Sequence, residues 1–207
     1  MQRGTAPLNW FFKLSPCPIC KTRASTQYGC CPSCQQSLFK PLRSTEVLAL
    51  GPYDGKLELA IRHLKYHHIT ALARLFAREL AKEITVQKWQ ADVVTAVPLH
   101  WQRYLKRGYN QSALVAKPLA KQLDLPYAQL LSRTEATRQQ AKLSKLEREQ
   151  NVATAFRAKV VTGKRILLLD DVFTTGATLK ACQTSLLAAG AKEVRLIAIA
   201  RAVQRFQ

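Results

Sequence analysis

Two neighbouring carboxylates, Asp170 and Asp171, stand just before a short turn that is rich in hydroxyl side chains. The apolar run at 166–169 predicts a parallel strand that is covered on both faces and ends at this acidic pair. A helical pattern at 179–189 follows the turn. The turn consists of Thr174, Thr175, Gly176, Ala177 and Thr178. In α/β sheets, a strand, a turn and a helix in this order build ligand sites at the carboxyl ends of strands.

The residue types of this segment suit a phosphorylated sugar. Gly176 lets the N–H groups at the helix start approach an anion closely, and the threonine hydroxyls add hydrogen-bond donors. The two carboxylates cannot bind the same anion, but they can accept hydrogen bonds from sugar hydroxyls or help to hold a divalent cation through water. A sugar phosphate bound together with Mg²⁺ therefore satisfies both groups of residues.

Residues 168–178 resemble the 5-phosphoribosyl-1-pyrophosphate (PRPP) motif of type I phosphoribosyltransferases. The resemblance implies that Asp170 and Asp171 hold the ribose hydroxyls and that residues 174–178 hold the 5′-phosphate. It also implies an α/β fold, with a parallel sheet that carries helices on both faces, and Mg²⁺ as the companion of PRPP.

A second strand candidate, at 92–97, leads into a segment with several fixed cations. We expect a loop after this strand that binds the pyrophosphate of PRPP, with Gly108 giving the loop freedom to move. Asn110 then begins a predicted helix that runs to about Leu123. The residues assigned to the loop are Pro98, Leu99, His100, Arg103, Arg107 and Asn110.

The remaining patterns complete a parallel sheet. Strands are predicted at 47–53 and 193–201, and a helical pattern at 56–84 is expected to break near 66–69. The helix and strand that follow the acidic pair form a right-handed crossover unit. Lys65, at the predicted break, is left open as an anion-binding residue.

Two C-x-x-C pairs near the amino terminus predict a metal site. Cys17 and Cys20 form the first pair, and Cys31 and Cys34 repeat its spacing and its following proline. Four thiolates satisfy tetrahedral Zn²⁺ and leave no open position, so we expect a structural zinc ribbon or knuckle. Cys30 adjoins Cys31, which makes the second pair ambiguous from spacing alone.

The charge of the chain favours a polyanionic partner. Its 207 residues include 32 Lys and Arg against 13 Asp and Glu, a net charge of +19. Such an excess attracts nucleic acid, although a basic protein without such a partner remains an open alternative. No acidic residue precedes Glu46. The cations of this segment chosen as nucleic-acid contacts are Lys13, Lys21, Arg23 and Lys40.

Hydropathy argues against a membrane protein. No apolar run reaches the roughly 18–20 residues of a membrane span, and the first 15 residues lack the pattern of a cleaved signal peptide. We expect a cytoplasmic protein without membrane insertion.

Taken together, these motifs resemble the ComF family of competence-associated phosphoribosyltransferase-like proteins over most of the chain. Further residues carry this resemblance in addition to the motifs already described. They are Lys65, Tyr66, Val97, Gly108, Tyr109, Gln111, Arg133, Thr137, Gln140, Leu143, Arg148 and Asn151. It implies a zinc-binding module at 1–43, including a linker, followed by a type I phosphoribosyltransferase domain at 44–207. It also implies handling of single-stranded DNA during natural transformation, with DNA-uptake proteins as partners, or the use of DNA as a nutrient.

Two functions of different classes follow. The first is a protein that binds Mg²⁺ and PRPP and handles single-stranded DNA. The alternative is a nucleotide-salvage enzyme that transfers ribose 5-phosphate from PRPP to an unknown acceptor and has no role in DNA uptake. Thr174 stands where transferases of the hypoxanthine type carry a carboxylate, which argues against that subclass. The sequence identifies no catalytic residue.

Overall fold

The computed structural model describes residues 15–24, 27–133 and 155–203. Six α-helices occur in these ranges: α1 (Pro32–Ser37), α2 (Gly55–Tyr66), α3 (Leu72–Val86), α4 (Trp101–Arg107), α5 (Gln111–Gln122) and α6 (Ala177–Ala188). The strands are β1 (Ser15–Pro16), β2 (Arg23–Ala24), β3 (Leu42–Arg43), β4 (Leu48–Ala49), β5 (Val93–Ala96), β6 (Leu131–Arg133), β7 (Phe156–Ala158), β8 (Arg165–Phe173) and β9 (Glu193–Arg201).

The central sheet has five strands in the order β3-β4-β9-β8-β5. The last four are parallel, and only β3 runs antiparallel at one edge. The sequence predicts that β8 ends at the acidic pair, but the strand continues to Phe173. Asp170 pairs with Ala198 and Phe173 pairs with Arg201 of β9, which has the same length. The last residue of β5 pairs with Leu169, so the acidic pair extends beyond the end of β5.

Helices cover both faces of the sheet, which confirms the predicted fold class. Leu167 and Leu169 belong to a core that includes apolar side chains of α2, α3 and α5. Ile166 and Leu168 belong to the core on the other face, together with apolar side chains of α6. Because successive side chains of a strand point to opposite faces, burial on both sides requires an apolar residue at every position.

Local signals fix the helices around the edge where the site lies. The predicted break falls between α2 and α3, and α5 begins after Asn110 as expected. The Asn110 side chain caps α5 by accepting hydrogen bonds from the N–H groups of Ser112 (3.0 Å) and Ala113 (3.3 Å). The same side chain donates to the carbonyl of Val97 at 2.9 Å. This double contact ties the start of α5 to the end of β5.

The cysteine-rich segment packs against the core formed with α2 and α3. Its buried cysteines share one apolar cluster with these helices, and His63 Nε2 of α2 lies 3.1 Å from the carbonyl of Pro18. The residues expected to act as a linker include β3, which pairs with β4 in the central sheet. The division into 1–43 and 44–207 stays a prediction.

Within the described ranges, no helix combines the length and the apolar character needed to cross a bilayer.

Candidate functional site

A cavity of about 570 Å³ opens where β8 extends past the end of β5. Asp170, Asp171, Thr174 and Thr178 line it. The structure thus brings the predicted acidic pair and part of the predicted turn to one place. All six residues assigned to the pyrophosphate loop line the same cavity: Pro98, Leu99, His100, Arg103, Arg107 and Asn110.

Asp171 is held by two side chains from distant parts of the chain. Lys65, near the end of α2, forms an ion pair with it (Nζ to Oδ1, 2.8 Å), and Gln111, in the first turn of α5, donates to Oδ2. Asp171 is only 8% exposed. A buried carboxylate is stabilised when a cation and hydrogen-bond donors satisfy it. These contacts fix the orientation of Asp171 at the cavity wall.

Asp170 has a different environment. Its Oδ1 accepts hydrogen bonds from Ser112 Oγ (3.1 Å) and from the N–H group of Asp171 (2.8 Å). Burial and the adjacent Asp171 carboxylate raise the pKa of Asp170 to about 7. A ligand that brings hydroxyl donors or a cation to Asp170 would favour its ionised form.

The turn before α6 depends on a glycine. Gly176 adopts the left-handed conformation with a φ of 79°, and a Cβ atom there would lie 2.5 Å from Cζ of Phe173. Thr175 Oγ1 accepts a hydrogen bond from the N–H group of Ala177 at 3.4 Å. Thr174 and Thr178 line the cavity, whereas Thr175, Gly176 and Ala177 do not.

The cationic segment after β5 is a helix, and the prediction of a loop throughout was wrong. His100 begins α4 by accepting a hydrogen bond from the N–H group of Gln102 at its Nδ1 (3.4 Å). Gly108 ends the helix with a φ of 78°. The glycine expected to give mobility is thus a helix terminator of the kind that needs positive φ. α4 presents Arg103, Lys106 and Arg107 to the cavity.

Tyr53 and Ser112 line the cavity although nothing in the sequence indicated it. Other lining residues were left open or given only as family motif residues: Lys65, Tyr66, Lys106, Gln111 and Arg133. Burial and the guanidinium groups of Arg133 and Arg103 lower the pKa of His100, which reflects the positive potential on this side. Lys65 and Gln111 belong to motifs that resemble the family, but nothing local indicates that they meet Asp171, which is 106 and 60 positions away.

The four predicted cysteines form a second candidate site. The Sγ atoms of Cys17, Cys20, Cys31 and Cys34 all lie within 4.8 Å of one another, so they could hold a metal ion. Tetrahedral zinc with its usual bonds to sulfur separates the sulfur atoms by about 3.8 Å, so the cluster fits Zn²⁺. Hydrogen bonds from Thr22 lower the pKa of Cys20 to about 6, which favours a thiolate.

Cys30 lies outside this cluster, in the buried core beneath it. Burial and the neighbouring cysteines raise the pKa of Cys30 to about 12, so its thiol stays protonated. The structure thus groups Cys31, and not its neighbour, with the other three cysteines.

The described cations that were predicted to contact nucleic acid lie outside the lining of the large cavity. Lys21, Arg23 and Lys40 are exposed, and none of them lines the cavity. Lys13 lies outside the described residues, as do Thr137, Gln140, Leu143, Arg148 and Asn151.

The chain is similar to a known domain family and to several named bacterial proteins. Residues 109–205 match the model of the phosphoribosyl transferase domain. The chain is 30% identical over 203 residues to DNA utilization protein YhgH of Escherichia coli O157:H7, covering 89% of each chain. It is 31% identical over 167 residues to competence protein F of Haemophilus influenzae, covering 76% of this chain and 73% of the other.

Solved structures with a similar fold include glutamine PRPP amidotransferase from B. subtilis, in a complex with ADP and GMP. That alignment has a TM-score of 0.47 and 30% identity, and it covers 62% of this chain and 26% of that enzyme.

Proposed function

The chain belongs to the ComF family, together with DNA utilization protein YhgH and competence protein F, and on that premise we propose that it binds PRPP with Mg²⁺ and handles single-stranded DNA. One observation carries the proposal. A single cavity is lined by the acidic pair, by threonines of the glycine turn and by a row of cations. These three groups match the ribose, the 5′-phosphate and the pyrophosphate of one ligand.

Each part of PRPP has a complementary wall. Asp170 and Asp171 would accept hydrogen bonds from the ribose hydroxyls, while Lys65 and Gln111 keep Asp171 in position. The N–H groups of Thr175, Gly176 and Ala177 and the hydroxyls of Thr174 and Thr178 would hold the 5′-phosphate. Fixed cations close to the turn suit the pyrophosphate, because guanidinium groups form paired hydrogen bonds with phosphate oxygens.

Mg²⁺ fits this donor set, because the cavity offers carboxylate and hydroxyl oxygens, which are hard ligands. When bound, the ion neutralises charge on the pyrophosphate. Asp170 and Asp171 are the residues that would hold it, directly or through water.

The side chains support binding more specifically than they support transfer to a particular acceptor. Thr174 occupies the position where hypoxanthine-type transferases have a carboxylate, and the lining contains no acidic side chain other than Asp170 and Asp171 among the described residues. Transfer to an acceptor would then depend on stabilising the departing pyrophosphate with Arg103, Lys106 and Arg107.

Handling of single-stranded DNA is supported by charge and by the relatives. The net charge of +19 gives a strong sequence-independent attraction to phosphates. The names of the relatives refer to DNA utilization and to competence. Partners in the DNA-uptake machinery and the cytoplasmic location remain predictions of the same proposal.

The cysteine cluster, in this proposal, holds a structural zinc ion within a module at 1–43, and residues 44–207 form the phosphoribosyltransferase domain. Four sulfur ligands complete a tetrahedral shell and leave no position for a substrate. Zinc would stabilise this module against the core it shares with α2 and α3.

The PRPP proposal is tested by calorimetric titration of Mg²⁺-PRPP into the zinc-loaded protein. The parent is expected to bind, and the double variant Asp170→Asn/Asp171→Asn to bind at least about a hundredfold more weakly, because two hydrogen bonds to charged groups are lost. Asp124→Asn is the matched control, since this exposed residue lies past the far end of α5, about 18 Å along the helix from Gln111. Equal affinity of the parent and the double variant would overturn the proposed site.

Measurements of pyrophosphate release and of DNA binding distinguish the proposed function from the nucleotide-salvage alternative. Release of pyrophosphate on addition of a nucleobase, without any affinity for DNA, would favour the salvage enzyme. Binding of single-stranded DNA that weakens steeply with salt, by about 0.7 log units per log unit of salt for each phosphate contact, would favour the DNA-handling protein.

A further inference from the structure

Helix α4 has an unusual surface for so short an element. None of its residues is buried. Trp101 is 53% exposed and Tyr104 52% exposed, and Leu105 is exposed as well. Large apolar side chains grouped on a surface in this way mark interaction sites more often than chance.

The exposed aromatic residues are concentrated near this helix. In the described part of the chain, the Trp, Tyr and Phe side chains classed as exposed are Trp101, Tyr104 and Tyr66. Tyr66 ends α2, and the guanidinium carbon of Arg107 lies 5.1 Å from the centre of its ring. A second cavity, of about 250 Å³, connects the two helices and is lined by Tyr66, His68 and cations of α4. We call α4, Tyr66 and His68 together the α4 rim.

The cations of the α4 rim are not neutralised by nearby acids. Arg103, Lys106 and Arg107 form no ion pair with any carboxylate in the described ranges. By contrast, Arg165 and Lys180 are paired with Asp92 and Glu46. Uncompensated cations that alternate with aromatic faces suit a ligand that has both negative charge and flat apolar surfaces.

We propose that the α4 rim is the binding surface for single-stranded nucleic acid, with bases stacked on Trp101 and Tyr104 and phosphates held by Arg103, Lys106 and Arg107. The inference rests on the DNA binding proposed above and gives that binding a location. A single strand exposes the faces of its bases, whereas a duplex hides them, and stacking on aromatic side chains requires exposed faces. An acidic peptide would use the cations but not the aromatic rings.

The same geometry makes PRPP and the strand competitors. Arg103, Lys106 and Arg107 line both the large cavity and the second cavity on the rim. A cation that contacts the pyrophosphate is not available to a strand phosphate, so each ligand lowers the affinity for the other. Such coupling is reciprocal by thermodynamic necessity.

This location differs from the one predicted by sequence. Lys21, Arg23 and Lys40 are exposed in the amino-terminal segment, but the exposed aromatic rings of the described residues belong to α4 and to the end of α2. Three variants therefore separate the two surfaces. The rim variant is Trp101→Ala/Tyr104→Ala, and the amino-terminal variant is Lys21→Gln/Arg23→Gln/Lys40→Gln. The control is Lys164→Gln/Lys192→Gln, at the opposite ends of β8 and β9, where both lysines are exposed.

The experiment measures fluorescence anisotropy of a labelled oligothymidylate of about 15 nucleotides, close to the span of known single-strand sites. The rim variant is expected to bind the oligonucleotide about fivefold or more weakly, the usual loss on removing one stacked base. It should bind Mg²⁺-PRPP like the parent, because Trp101 and Tyr104 do not line the large cavity. Saturating Mg²⁺-PRPP should lower the affinity of the parent for the oligonucleotide.

The outcomes separate this inference from the proposed function. If the parent binds the oligonucleotide and only the amino-terminal variant loses affinity, DNA binding stands but its location at the rim is overturned. If the parent does not bind, both are overturned. Equal binding of a polyglutamate peptide with the same charge would assign the rim to acidic proteins instead. An oligonucleotide affinity that does not change with Mg²⁺-PRPP would overturn the shared use of the cations.

Discussion

The two candidate sites of this chain differ in how far apart their residues lie in the sequence. The cysteine cluster takes all its ligands from 17–34, and each C-x-x-C pair is complete within one turn of chain. The large cavity joins the end of α2, the start of α5 and the acidic pair on β8, so Lys65 contacts Asp171 across 106 positions. A local site depends on spacing, whereas a distributed site depends on the whole sheet being formed.

The sites also differ in what they leave open. Four thiolates would fill the coordination shell of a bound zinc ion, so we expect the cysteine cluster to stabilise the fold. Among the described residues, the three cations that α4 brings to the cavity have no acidic partner, and burial raises the pKa of Asp170 to about 7. A site prepared for a ligand keeps polar groups that the protein alone does not fully satisfy. The predictions below test each side of this contrast, beginning with the largest effect.

Removal of the metal is expected to have the largest effect on stability. Binding of structural zinc contributes roughly 10 kcal/mol or more in small zinc modules, and much of this appears as folding free energy. Cys31→Ala should therefore lose zinc and unfold the module, with loss of packing against α3. The measurement is zinc content together with denaturant unfolding.

Cys30→Ala is the matched control for that experiment, because Cys30 is the adjacent buried cysteine outside the cluster. It should keep one zinc ion and lose only about 1 kcal/mol of packing. Zinc loss from the Cys30 variant with retention in the Cys31 variant would reverse the assignment of the fourth ligand.

Gly176→Ala should have an intermediate effect, confined to the cavity side. The substitution places a methyl group 2.5 Å from Phe173 Cζ at a φ of 79°, which costs about 2–4 kcal/mol from backbone strain and overpacking. Affinity for Mg²⁺-PRPP should fall as well, since the turn must shift. Unfolding curves and calorimetry measure the two effects.

The comparison variant is Gly55→Ala. Gly55 also has positive φ, at 47°, but a Cβ atom there meets nothing within 4 Å. This variant should lose only about 1 kcal/mol and bind Mg²⁺-PRPP normally. Equal losses in stability and affinity at the two glycines would show that the turn has no special role.

A smaller effect should appear as proton release. Because the folded state raises the pKa of Asp170 to about 7, its contribution to stability is complete at low pH and is lost as the pH rises through about 7. If ribose hydroxyls bind the ionised form, PRPP binding at pH 7 releases about half a proton from this residue. Calorimetry in two buffers with different ionisation heats measures the release.

Asp170→Asn supplies the baseline for that measurement, because PRPP and its Mg²⁺ complex also exchange protons. The difference between the parent and the variant should be the proton released by Asp170. A difference of zero would mean that Asp170 does not change its protonation on binding.

Periodic patterns in the sequence predicted most of the fold. The run of apolar residues in β9 and the interruption between α2 and α3 were found at the positions the sequence indicates. The end of β8 was not, because Asp170 and Asp171 read as strand breakers, whereas pairing with β9 continues to Phe173. Strand length depends on the neighbouring strand, which a single segment does not contain.

The sequence predicted the site only where its residues are neighbours in the chain. The acidic pair and the turn were recognised as one motif, but Gln111 and Ser112 were not assigned to the acids they contact. Both residues lie in the first turn of α5. Asn110 fixes the start of this helix beside the end of β5, because its side chain caps α5 and also donates to the carbonyl of Val97. The helix α4 was missed although Trp101, Tyr104 and Leu105 have helical spacing, because this short cation-rich segment between a strand and Gly108 was interpreted as a binding loop.

The central claim is that one cavity holds a complete phosphoribosyl ligand. The most direct test is a crystal structure of the zinc-loaded protein with Mg²⁺-PRPP. We predict that the ribose hydroxyls contact Asp170 and Asp171, that the 5′-phosphate lies on the N–H groups around Gly176, and that the pyrophosphate faces Arg103 and Arg107. A ligand held only by the cations of the α4 rim, with no ribose hydroxyl on Asp170 or Asp171 and no phosphate at the turn around Gly176, would contradict the account.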